Sequence, residues 1–163
     1  FRADAKAMQA LAHTHKLAEI DREAYDAVFY PGGHGPLWDL AENEDSRLLI
    51  DAAYAANKPV AAVCHGVAAL RKALGPFGLP LVRGKEVTGF SNTEEKAAGL
   101  VDAVPFLVED MLKEAGGEYS KAADWQAHVV VAGNLVTGQN PASSTGAAKA
   151  VLQLLRGVDK AVP

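Results

Sequence analysis

Short apolar runs of strand length alternate along this chain with stretches of helical period. Residues 3–12 are rich in Ala, Lys, Met, Gln and Leu, all good helix formers, and Ala18-Glu19-Ile20-Asp21 reads as their exit. Tyr25 to Tyr30 is strand-like and runs into Pro31-Gly32-Gly33-His34-Gly35-Pro36, a strong loop signal. Asn43-Glu44-Asp45-Ser46 starts a helix whose Leu48, Leu49, Ala52, Ala53 and Ala56 keep helical spacing until Asn57-Lys58-Pro59 stops it. Val60 to Val63 is a bounded apolar strand, followed by a helix to about Ala73.

Beyond a Gly/Pro-rich connection from Leu74 to Gly84, Lys85 to Phe90 predicts a short strand. Ser91 or Asn92 then caps a helix, with Glu94 or Glu95 at the capping-box position. Val104 to Ala115 predicts a further helix with Pro105 in its first turn and Gly116-Gly117 as its stop. His128 to Gly138 reads as a hairpin turning at Gly133-Asn134, and Pro141-Ala142-Ser143-Ser144 leads into a helix to about Arg156. No repeat or linker interrupts residues 1–163, so one domain is expected. Strands alternating with helices predict an α/β layered domain with a largely parallel sheet, whose ligands bind beyond the carboxyl ends of the strands.

Two loops fall on that rim, one after Tyr30 and one after Val63. The second holds the chain's single cysteine. Ala62-Val63-Cys64-His65-Gly66 has the form of a nucleophile elbow, with Ala in place of the first glycine. Gly66 is expected to supply the backbone freedom of a tight strand-to-helix turn. A free thiol has a pKa of about 8.5, and a helix N-terminus or an adjacent imidazolium lowers it, so a reactive thiolate is expected here. The competing reading is a buried, inert cysteine, the commoner fate of a lone one.

Composition narrows the classes. An apolar content of 49% and a charged content of 22% are those of an ordinary globular domain. A net charge of -4 with no basic cluster argues against a nucleic-acid partner, and no apolar run reaches the length of a membrane span. One cysteine forms no internal disulfide, which suits a reducing, cytoplasmic location. The five histidines are scattered without metal-ligand spacing, so no metal or other cofactor is expected.

The chemistry-bearing residues form a small set. Gly32-Gly33-His34-Gly35 lacks dinucleotide-binding spacing, but beside a nucleophile it can turn backbone N–H groups inward as half of an oxyanion hole; a plain tight turn is the other reading. His65 follows the thiol directly and can serve as general base and acid. Glu94 and Glu95, after the next strand, offer an orienting carboxylate, although either alone is readily explained as a solvated helix start. Trp38, at the exit of the glycine loop, can wall a pocket, with His34 and Phe90 as neighbours, or belong to the core.

Tyr30-Pro31-Gly32-Gly33-His34-Gly35-Pro36-Leu37-Trp38-Asp39-Leu40 and Ala61-Ala62-Val63-Cys64-His65-Gly66 resemble the PfpI-like superfamily. That likeness implies a three-layer, flavodoxin-like fold of the class I glutamine amidotransferase type. Thr88-Gly89-Phe90-Ser91-Asn92-Thr93-Glu94-Glu95 and Val136-Thr137-Gly138-Gln139-Asn140-Pro141-Ala142-Ser143-Ser144 resemble its branch of heat-shock chaperone-like, glutathione-independent glyoxalase III proteins. The resemblance implies Cys64 as nucleophile, His65 as proton shuttle, Glu95 as orienting acid with Glu94 as its rival, and amides of Gly33 and His65 as oxyanion donors. It implies a small aldehyde substrate such as methylglyoxal, converted to lactate without metal or glutathione, with deglycase or stress-chaperone roles beside it. It also implies a homodimer. A PfpI-type cysteine peptidase or amidase, and a non-enzymatic holding chaperone or redox sensor, are the other functions this scaffold supports.

Members of that branch carry, before the position of Phe1, a strand, a helix and a second strand. The loop after the first of these strands provides a glutamate against the sulfur. The expectation is therefore that an amino-terminal segment, possessed by the same protein or present as a separate fragment, completes the unit and covers an otherwise exposed sheet edge.

Overall fold

The computed structural model describes residues 2–158, so Phe1 lies outside the described residues. The chain forms α1 (Ala5–Ala12), β1 (Val28–Tyr30), α2 (Pro36–Asp39), α3 (Glu44–Ala55) and β2 (Val60–Val63). There follow β3 (Glu86–Val87), α4 (Asn92–Ala98), α5 (Val108–Glu114) and β4 (Glu118–Tyr119). The carboxyl-terminal part holds β5 (Val129–Ala132), β6 (Leu135–Gly138) and α6 (Ser144–Val158). Among the described helices, none is long and apolar enough to cross a membrane.

Four strands make the central sheet in the order β1-β2-β6-β5, parallel except for the β5–β6 hairpin. β3 and β4 form a separate parallel pair. β2 lies in the middle, and its four residues are all buried. The two-residue period of a strand sends them to opposite faces. Val60 and Ala62 join the larger core with Ile50, Ala53, Val67, Leu81 and Leu112, whereas Ala61 and Val63 join Phe90, Val136, Ala147 and Val151 beneath α6. Helices therefore cover both faces, which is the expected three-layer α/β architecture.

Most of the expected elements are present, with two differences among the helices. The helix predicted over Val104 to Ala115 begins only at Val108, with Leu107 as its N-cap. Pro105 precedes it, in a stretch where Phe106 packs under the Arg71 guanidinium, 4.2 Å from the ring centroid. The segment after β2 is a tight 3₁₀ turn over Cys64–Leu70 rather than an α-helix reaching Ala73, and all seven of its residues are buried. Its side chains are mostly small, which lets it pass close under the ends of β1 and α2.

Gly66 serves this close approach rather than backbone freedom. Its φ is not positive; the left-handed residue is Cys64 itself, at φ 60°. A Cβ on Gly66 would stand 2.6 Å from the Tyr30 carbonyl oxygen and still nearer that of Pro31, inside van der Waals contact with rigid backbone. Gly66→Ala is thus expected to destabilise the fold by about 1–3 kcal/mol through overpacking. Urea denaturation measures this, and a midpoint equal to that of the unsubstituted chain would contradict the account.

Candidate active site

The site is built where β2 ends. Cys64 turns the chain in the left-handed region, a strained conformation for a residue with a Cβ, and this lifts its side chain off the strand's end. The loop after β1 lies against it: a Cβ on Gly32 would be 2.8 Å from the Cys64 Cβ, and Gly33 adopts φ +106°. The backbone N–H groups of Gly33 and His65 lie near enough to the Cys64 sulfur to lower its pKa. The two amides expected as oxyanion donors thus lie beside the thiol.

The third segment comes from α4. Thr88 N–H donates to Thr137 Oγ1 on β6 at 3.0 Å, which ties the stretch after β3 to the sheet. Phe90 then packs on the His65 ring with centroids 4.2 Å apart, and Ser91 caps α4. Successive helical residues point about 100° apart, so Glu94 and Glu95 go to different places.

Glu95 faces the thiol's neighbour. Its Oε2 accepts from His65 Nε2 at 2.5 Å, and its Oε1 from His34 Nε2 at 3.2 Å. With Nε2 donating to the carboxylate, His65 Nδ1 is left as an acceptor 3.4 Å from the Cys64 sulfur. Cys64, His65 and Glu95 thereby form a continuous hydrogen-bonded row, each of them 5% exposed or less.

Glu94 completes a structural knot instead. Its Oε2 accepts from the Ser91 N–H and hydroxyl at 3.1 and 2.8 Å. Its Oε1 accepts from the Trp125 N–H and from Asn140 Nδ2, both at 2.8 Å. Burial raises the pKa of this carboxyl, but its donors outweigh burial and the net shift is downward.

Trp38 lies on α2 with 58% of its surface exposed; the indole that meets Phe90 is that of Trp125, edge-on at 5.8 Å. No sequence signal singled out Trp125 or Asn140. Trp125 sits in a loop at φ 65°, and Asn140 reaches Glu94 across 46 residues of sequence.

Electrostatics correct one expectation. Burial, the largest influence, pushes the Cys64 thiol up to about 11, against the lowering by the two amides. Burial likewise pushes His65 down, although Glu95 opposes this. The turn after Cys64 is too short and too tightly wound to supply the helix dipole that would favour a thiolate. Burial thus disfavours charge on both members of the resting pair.

His34, His65 and Glu95 offer nitrogen and oxygen donor atoms that all lie within 4.8 Å of one another. Linear spacing did not disclose this set, because three separate segments supply it. Each residue is already engaged in the row, so a metal ion would have to displace the hydrogen bonds between them.

An α/β domain with a cysteine elbow, an adjoining histidine–glutamate pair and inward amides defines a class, and sequence comparison specifies it. The chain belongs to the DJ-1/PfpI family, whose pattern matches residues 5–154. The probable glutathione-independent glyoxalase hsp3103 of Schizosaccharomyces pombe is 34% identical over 145 residues, covering 84% of this chain and 56% of that protein. The solved structure of the Rapid Encystment Protein 24 KDa of Francisella tularensis has 43% identity and a TM-score of 0.91, covering 95% of this chain and 69% of that one. The structure of glyoxalase III from Candida albicans has 30% identity and a TM-score of 0.80, covering 85% and 60%. The chain thus spans less than two thirds of the length of these two glyoxalases.

Two outcomes are expected. Because burial holds the thiol protonated, alkylation of Cys64 by iodoacetamide should be slow near pH 7 and climb about tenfold per pH unit as the thiolate forms. A rate that levels off before pH 8 would refute the raised pKa. Glu94→Gln places an amide N–H against existing donors and should cost about 1–3 kcal/mol. Because the folded pKa of Glu94 is lowered, its contribution is complete above the unfolded value near 4.5 and is lost as pH falls through the folded one. Denaturation of both forms at neutral and acid pH would show a difference that shrinks at acid pH; a constant difference would contradict this assignment.

Proposed function

We propose that this chain carries a cysteine-dependent, glutathione-independent glyoxalase activity, converting methylglyoxal and related small 2-oxoaldehydes to 2-hydroxy acids. The observation that carries the reading is the row from the Cys64 sulfur through His65 Nδ1 and Nε2 to Glu95 Oε2. In this reading Cys64 is the nucleophile, His65 the proton shuttle and Glu95 the acid that orients it. The names of the Schizosaccharomyces and Candida relatives point the same way.

The thiol attacks the aldehyde carbon while its proton passes to His65 Nδ1, and the new oxyanion takes the Gly33 and His65 amides. Return of the proton gives a hemithioacetal. His65 then removes the hydrogen of that carbon as a proton, and the adjacent ketone carbon receives one through an enediol. One carbon is oxidised and its neighbour reduced, so no external oxidant is needed. The resulting lactoyl thioester is cleaved by water, which releases lactate and restores the thiol. A peptidase requires an open groove, whereas a nucleophile only 5% exposed, with Phe90 stacked on its base, favours a small substrate.

Lactate formation from methylglyoxal without glutathione tests the proposal. The unsubstituted protein should turn over, Cys64→Ala should give only background, and Glu95→Gln should lose on the order of a hundredfold or more in kcat. Background-level lactate from the unsubstituted protein, with hydrolysis of peptide substrates in its place, would overturn it.

A further inference from the structure

His34 has chemistry that an oxyanion loop does not require. Backbone amides suffice for that purpose, yet the loop places an imidazole directly beside the amide donor of Gly33. The His34 Nε2 lies 3.2 Å from Glu95 Oε1, the oxygen that His65 does not use. Its ring stacks on the His65 ring with centroids 3.9 Å apart and planes tilted by 34°. Phe90 takes a second side of His65 at 4.2 Å. The His34 side chain is 38% exposed while that of Glu95 is 2% exposed, so His34 bridges the buried carboxylate and the surface.

We propose that His34 is a positioning residue: it donates to the outer oxygen of Glu95 and covers His65, holding the inner oxygen on His65 Nε2. The inference rests on reading Cys64, His65 and Glu95 as a proton relay. A carboxylate held by one donor can rotate about its own bond, whereas donors on both oxygens fix its plane. Two adjacent loop residues thus serve the two ends of the relay, with the Gly33 amide beside the sulfur and the His34 imidazole on the acid. Gly33 at φ +106° is what lets consecutive groups of one short loop face the same site. The loop is therefore a single part with two functions, and a shift of it would loosen nucleophile and acid together.

The test compares His34→Ala, which removes donor and cover at a partly exposed position, with His34→Gln, whose amide nitrogen reaches about as far as the imidazole Nε2. The first readout needs no substrate: the low-field proton resonance of the short His65–Glu95 hydrogen bond. It should be sharp in the unsubstituted protein and His34→Gln, and broadened by solvent exchange in His34→Ala. The second is methylglyoxal turnover, where His34→Ala should lose about tenfold or more in kcat with KM within about threefold, as expected for lost orientation. His34→Gln should recover most of that loss. An unchanged resonance in His34→Ala, or equal loss in the Ala and Gln variants, would overturn the proposal. Should the unsubstituted protein fail to turn over methylglyoxal, the glyoxalase reading falls, and the resonance still decides the role of His34.

Discussion

The contact on which the site depends is the approach of Gly66 to the carbonyl oxygens of Tyr30 and Pro31. It draws the turn after β2 under the end of β1, and so brings two loops distant in sequence against each other. Gly32 fits over the Cys64 Cβ for the same reason: neither partner there has room for another atom. The left-handed backbone of Cys64 is tolerated because its surroundings are packed; all seven residues of the turn it opens are buried. Anchoring of β1 through Tyr30, whose hydroxyl meets Ser46 Oγ at 2.8 Å inside the core, keeps the carbonyls where the turn needs them. The chemistry is thus held by elements that themselves perform none.

Two neighbouring carboxylates illustrate how one helix start divides such work. Glu94, with four donors, joins α4, the loop at Trp125 and the Asn140 turn. A buried carboxylate with that many partners is satisfied, and its charge is unavailable for chemistry. Among the described residues Glu95 has donors only from His34 and His65, both imidazoles, and can answer a change in charge on either. The knot fixes α4; the helical turn then aims Glu95.

Much of this was legible in the chain itself. The apolar run of β2, the Pro-Gly-Gly loop and the Asn43 cap are local signals, and the structure repeats them. Even the Glu94–Glu95 question carried a local answer, since Ser91 stands three residues before Glu94, the spacing of a capping box, which leaves Glu95 free to point elsewhere. The late start of α5 was not legible, because the Phe106–Arg71 contact that draws Pro105 out of the helix spans 35 residues of sequence. Nor were Trp125 and the second hydrogen bond to Glu95, which depend on how loops from separate segments meet. The thiol's protonation was misjudged from sequence for a related reason: motifs reveal neighbours, whereas burial is a property of the whole fold.

That burial shapes the chemistry. Desolvation opposes charge on both Cys64 and His65, so a standing thiolate–imidazolium pair is disfavoured at each end. Glu95 and the two amides oppose this penalty without overcoming it in the resting state. On the proposed reaction an arriving carbonyl would change the balance, because the negative charge would then move from sulfur to an oxygen that the amides can bind, while the proton would land on an imidazole already held by its carboxylate. Stabilisation is therefore greatest once the bond to sulfur forms, and smaller before it. On that reading, the site would favour electrophiles small enough to reach a nearly closed thiol and able to draw its proton away in the act of binding.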